Sequence, residues 1–111
     1  MGRLLLLLSH LEELAQNANY DANKLAKLCG MSPRQLRRHF RQEFQRPPQS
    51  WLDSHRMKLA KEMLLAGDSV KKVAIELGFK HASHFCRKFK RLNNMTSSEF
   101  VMSQMRSVRR S

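Results

Sequence analysis

A chain of 111 residues is long enough for one small domain or two very small subdomains sharing a core, and 41% hydrophobic residues suffice for a packed interior. Its formal net charge of +12 points to a polyanionic partner. The longest apolar run is far too short to span a bilayer, the two cysteines make no paired CxxC framework, and the four glycines build no phosphate loop, so membrane, disulfide-scaffold, zinc-ribbon and nucleotide-loop classes are set aside.

The charge lies in two islands. Residues 32–46 carry five arginines against Glu43, a net +4, and residues 69–92 carry seven cations against Glu76, a net +6. Residues 1–31 and 47–68 each balance three cations with three anions, and the tail adds +2. Alternating basic and neutral segments fit two separate contacts with a polyanion. Few strand-forming runs and many with a 3.6-residue period make the expected class all-α.

The start, MGRLLLLL, resembles a signal peptide, but its apolar run of five is shorter than the roughly 7–15 residues of a signal core. Ser9, His10, Glu12 and Glu13 follow at once, so the expected location is the cytoplasm. Leu4, Leu7, Leu8, Leu11, Leu14, Ala15 and Ala18 share one helical face. Leu5 and Leu6 fall off it, either exposed or touching another domain or subunit. The segment Asn17–Asp21 breaks this first helix.

A helix-turn-helix unit is expected at about 21–46. Asp21 caps a short helix that stops at Gly30, where a left-handed residue is needed. Ser32, Pro33 and Gln35 then open a second helix as a capping box with proline in its first turn. Leu36 and Phe40 lie on its buried face. At 100° per residue Arg34, Arg38 and Arg41 project oppositely, flanked by Gln35, Arg37 and Gln42. Arginine forks on a small apolar footing suit a helix laid in a DNA major groove. A bundle helix with a solvated basic face is the competing reading of this stretch.

Pro47 and Pro48 start a linker helix, about 48–65, with Trp51, Leu52, Leu59, Ala60, Met63 and Leu64 apolar and a length of roughly 25–27 Å. Arg56 falls inside that stripe, either as an ion pair or helix-end contact holding the two halves together or as a DNA contact. Gly67 ends the helix, and Asp68-Ser69 caps the next.

From there the chain repeats itself. Residues 73–79 (VAIELGF) align with residues 25–31 (LAKLCGM) at an offset of 48, and Phe85 and Phe89 align with Leu36 and Phe40 at an offset of 49. This second unit is expected at about 69–92. Phe85, Phe89 and Leu92 form its buried stripe, Ser83, Arg87 and Lys90 face away, and His84, Cys86 and Arg91 flank them. A repeat that keeps the footing and puts a cation at both of the last two outward places weighs against the solvated-face reading. Lys80 is a poor cap, so the start of this helix is weakly marked. Asn94 suits a left-handed stop, and Thr96 with Glu99 caps a last short helix, about 97–104, containing Phe100.

Catalysis is not expected. Asp53, Ser54 and His55 are consecutive on a helix and cannot converge. His81, His84 and Cys86 are too few on one helix to hold a metal, Cys29 reads as a small core residue, and no cofactor is expected.

Two helix-turn-helix units on one long helix, the spacing Arg56, Met57, Ala60, Leu64, then IELGF (75–79) and FCRKFK (85–90), resemble the DNA-binding domain of AraC/XylS-family bacterial transcription regulators. The resemblance covers about residues 8–100. It implies one domain of about seven helices, whose third and sixth helices enter successive major grooves. It places Arg34, Arg37 and Arg38 at the reading positions of the first unit, and Ala82, Ser83, Cys86 and Arg87 at those of the second. With Gln35, Arg41, His84 and Lys90 alongside, these form the expected DNA-binding set. The chain departs from the family pattern at 94–97, where Asn-Met-Thr-Ser replaces glycine followed by Thr-Pro, and at Lys80-His81-Ala82, where a Ser- or Asp-rich cap is usual.

The implied partners are double-stranded promoter or operator DNA, RNA polymerase, and an N-terminal effector or dimerisation domain that many members carry and some lack. The expected role is that of a transcription regulator on the nucleoid, an activator or a repressor. The first unit is expected to supply more of the specificity and the second more of the non-specific affinity. An architectural protein that coats or bends nucleic acid without reading it, and a partner-binding module acting through Leu5, Leu6 and the first helix, are the alternatives.

Overall fold

The computed structural model describes residues 8–110, the last four by backbone alone. Seven helices and no strand lie among the described residues: α1 (Leu11–Asn17), α2 (Ala22–Leu28), α3 (Pro33–Phe44), α4 (Pro48–Leu65), α5 (Val70–Glu76), α6 (Ala82–Asn93) and α7 (Ser97–Arg110). Leu5, Leu6 and the expected helix start at Leu4 lie outside the described residues. None of the described helices is long and apolar enough to cross a membrane.

Short side chains set most of the boundaries. The Asp21 carboxylate accepts the Lys24 N–H, Ser69 Oγ accepts the Lys72 N–H, and Ser32 with Gln35 forms a complete capping box. Thr96 and Glu99 exchange the same pair of bonds at 3.0 and 3.1 Å ahead of α7. Gly30 takes φ +65° between α2 and α3, where a β-carbon would be strained. The stops of α3 and α6 are left-handed without glycine, at Gln45 and Asn94.

The chain divides into two compact units between Arg56 and Met57, inside α4. The first buries Ala15, Leu25, Ala26, Leu36, Phe40 and Leu52. The ring of Phe40 lies 6.0 Å from that of Trp51, edge to face. The second buries Ala60, Val73, Ala74, Leu77, Phe85 and Phe89, and the Phe89 ring lies 5.9 Å from that of Phe100, also edge to face. Phe40 and Trp51 become Phe89 and Phe100 at the same offset of 49. Each buried aromatic contributes about 1.5–3 kcal/mol by area, with a further ~0.5–1.5 kcal/mol from the ring pairing.

The repeat therefore reaches further than the helix-turn-helix. In front of the first unit, Tyr20 N–H donates to Ala15 O at 2.9 Å and Asn19 N–H to Gln16 O at 2.9 Å. Forty-eight residues on, Asp68 N–H donates to Met63 O at 3.0 Å and Gly67 N–H to Leu64 O at 3.1 Å. Both are Schellman-type helix ends, with Asn19 and Gly67 at positive φ. The second half of α4 thus stands to its unit as α1 stands to the first, and α7 stands as the first half of α4. One helix serves both copies.

Two expectations change, and one is made specific. Leu92, in the last turn of α6, is only partly covered and 42% exposed. The last helix runs on to Arg110, past the expected 104. Arg56 is buried, with its guanidinium 5.1 Å from the centroid of the Tyr20 ring, a cation–π contact made inside the first unit. Burial pulls the Arg56 pKa below its ordinary value, while Tyr20 and Asp53 pull it back up. Burial also raises the Tyr20 phenol, opposed by the charge on Arg56.

Candidate nucleic-acid interface

On α3, Leu36 and Phe40 are buried, and Arg34, Gln35, Arg37, Arg38 and Arg41 are all exposed. The opening of this helix is held at both ends of its capping box, with Gln35 N–H to Ser32 Oγ at 3.1 Å and Ser32 N–H to Gln35 Oε1 at 2.9 Å. Because the Gln35 oxygen is engaged, its amide N–H groups are the polar atoms it has left to offer. Arg34, one residue past Pro33, rides on this fixed turn.

The fifth arginine of the first island behaves differently. Arg46 is half-buried and folds its guanidinium onto the start of α4, donating to Ser50 Oγ at 2.6 Å, Ser50 O at 3.0 Å and Ser54 Oγ at 2.8 Å. It keeps its charge, since all these acceptors are neutral, and it ties the joint after α3 to α4. Charge counting cannot separate it from its four neighbours.

On α6, Phe85 and Phe89 are buried, Ala82 is half-buried, and Ser83, His84, Cys86, Arg87 and Lys90 are exposed. His81 occupies the cap position and its side chain makes no capping bond, in line with the weakly marked start. The rings of His81 and His84 meet edge to face at 5.6 Å. Alongside, Phe79, His84, Arg87, Lys88 and Arg91 line one shallow groove. Lys88 lies outside the expected set, although the spacing 84, 88, 91 marks a second cationic row on the flank of the helix. Lys72, another cation of this island, is engaged by Asp68 at 3.2 Å and Glu76 at 3.9 Å, and these partners raise its pKa.

Each unit thus presents a twelve-residue helix with two buried anchors four apart and an exposed face. A family model described as a helix-turn-helix domain, of the AraC type, matches residues 25–103 and so takes in both of these helices. The chain belongs to the AraC-type helix-turn-helix family.

Solved structures resemble this AraC-type domain in fold. The C-terminal domain of the two-component response regulator yesN from Fusobacterium nucleatum matches with a TM-score of 0.69 at 24% identity, over 81% of this chain and 92% of that one. A DNA-binding transcriptional dual regulator from Escherichia coli K-12 matches with a TM-score of 0.67 at 24% identity, over 85% and 87%. An AraC-type transcriptional regulator from Chromobacterium violaceum gives 0.64 at 22% identity, over 86% and 91%. No curated protein matches the chain significantly in sequence.

Proposed function

We propose that this AraC-type domain binds double-stranded DNA sequence-specifically as part of a bacterial transcription regulator, with α3 and α6 in successive major grooves. The observation that carries this reading is the paired presentation of exposed polar and cationic side chains on two helices of equal length and equal anchoring. Arg34, Arg37, Arg38 and Arg87 are the groups fitted to guanine O6 and N7, since a planar fork donates to both acceptors at once. Ser83, Cys86 and Ala82 offer van der Waals contact and shape fit. Arg41, His84 and Lys90, with Lys88 and Arg91 on the flank of α6, serve phosphates and fix register. On this division the first unit supplies most of the base discrimination and the second most of the sequence-independent attraction. RNA polymerase at the promoter is the proposed partner, and the nucleoid the proposed place of action.

The test is selection from a random duplex library at about 150 mM salt, followed by affinities for the selected and a scrambled duplex across a salt series. The expected result is an asymmetric site with two half-motifs about 10 base pairs apart, bound at least ~10³-fold more tightly than the scrambled duplex. No enrichment, with both duplexes weakening equally as salt rises, would leave a non-specific coat protein.

A further inference from the structure

We infer that Gln49 is a positioning residue for the first recognition helix, closing the ends of the helix-turn-helix into one clasped loop; the inference rests on the DNA-reading role of α3. Gln49 sits in the first turn of α4, 27 residues from Ala22, the first residue of α2. Its Oε1 accepts the Ala22 N–H at 2.9 Å. Its Nε2 donates to Tyr20 O at 2.8 Å and to Asp53 Oδ1 at 3.1 Å.

The first N–H of a helix has no partner within the helix, and Tyr20, at φ +59°, turns its carbonyl out of the helical pattern. One carboxamide satisfies both groups, and Asp53, one turn along α4, steadies it. Arg46 already binds the chain after α3 to α4. The Gln49 clasp therefore completes a circuit from α2 through the turn to α3, through the Arg46 joint to α4, and back to the start of α2. Such closure reduces the freedom with which α3 leans on α2, and a recognition helix held in its bound geometry discriminates bases better.

The second unit lacks the clasp. The counterparts of Tyr20, Ala22, Gln49 and Asp53 are Asp68, Val70, Ser98 and Met102. Serine, with one hydroxyl on a single carbon, is too short to make the same bridge. These four residues instead line an open groove of about 420 Å³. The space a glutamine side chain would occupy is present and unfilled.

The experiment compares the native chain with Gln49→Ala, Gln49→Glu and Ser98→Gln. It measures the exchange rate of the Ala22 amide hydrogen by NMR and the affinities for the selected duplex with either half-motif scrambled. Gln49→Ala is expected to speed Ala22 exchange roughly tenfold and to lower discrimination at the first half-motif about three- to tenfold, with the second half-motif and the salt slope unchanged. Gln49→Glu, which keeps the acceptor for Ala22 and loses the donors, is expected to fall between the two. Ser98→Gln is expected to raise discrimination at the second half-motif about two- to fivefold, and it decides the matter if Gln49→Ala does not fold. Faster exchange with unchanged discrimination would make Gln49 structural only, and unchanged exchange would deny the clasp; either overturns the inference. A native chain that discriminates at neither half-motif overturns the DNA-reading role itself, a result separate from the Ala22 exchange.

Discussion

The two units share helix lengths, anchor positions, left-handed stops and an edge-to-face aromatic pair, yet they hold α3 and α6 by different means. The first uses polar fastenings: the capping box at Ser32, the Arg46 guanidinium over Ser50 and Ser54, and the Gln49 carboxamide. The second replaces these with a cap position that makes no side-chain bond, Met95 where Arg46 stands, and Ser98 where Gln49 stands. Apolar packing is non-directional and hydrogen bonds are not. Similar cores thus carry one helix with several directional fastenings and another with fewer. The fold of a unit does not depend on those bonds being present.

The largest test of the equality is in the cores. Phe40→Ala and Phe89→Ala should each cost roughly 3–5 kcal/mol in urea unfolding, since both rings are fully buried against a partner ring four residues away and another on the next helix. A cost for one less than half that of the other would break the equivalence. The contrast at the surface is smaller. Arg38→Ala should cost about 1–3 kcal/mol on the selected duplex with relaxed preference at one base, whereas Lys90→Ala should weaken all duplexes alike and flatten the salt slope by about one. Footprints that change in the same way for both variants would remove the proposed division of labour.

Caps sharpen the comparison further. Ser32→Ala should lower stability by about 1 kcal/mol, and His81→Ser, which supplies the second unit with the missing acceptor, should raise it by about 0.5–1 kcal/mol, both read from chemical denaturation. The smallest effect is a dependence on acid. The Thr96 N–H and hydroxyl hold the Glu99 carboxyl below its ordinary pKa. Its contribution is therefore present above the unfolded value near ~4.3 and is lost as pH falls through the folded one. Glu99→Gln should flatten the stability profile of the second unit below about pH 4.5, and a profile unchanged by that substitution would deny the cap its role.

Much of this is legible in the residues themselves. Asp21, Ser32, Ser69 and Thr96 are local signals, since a cap acts on a backbone group two or three residues away. Leu36, Phe40, Phe85 and Phe89 follow from helical period alone. What period cannot give is how much of a face its neighbours cover, and Leu92, in register with Phe85, is exposed. Gln49 and Arg46 escape for a related one. A side chain that serves a backbone group 27 residues away leaves no pattern in its own stretch, and an arginine folded inward has the same letter as one facing out. The cationic face of α3 is readable from spacing, whereas the flank row containing Lys88 is visible only once the groove beside Phe79 is seen.

Because α4 closes one unit with its first half and opens the next with its second, no loop intervenes in the chain between the copies. A chain built this way can be lengthened without inventing a linker. Helix α7 already occupies the closing position in the second unit and is fourteen residues long, against eighteen for α4. Roughly one further turn with the apolar spacing of Leu59–Leu64, followed by a copy of residues 66–97, would seat a third unit by the rule that seats the second.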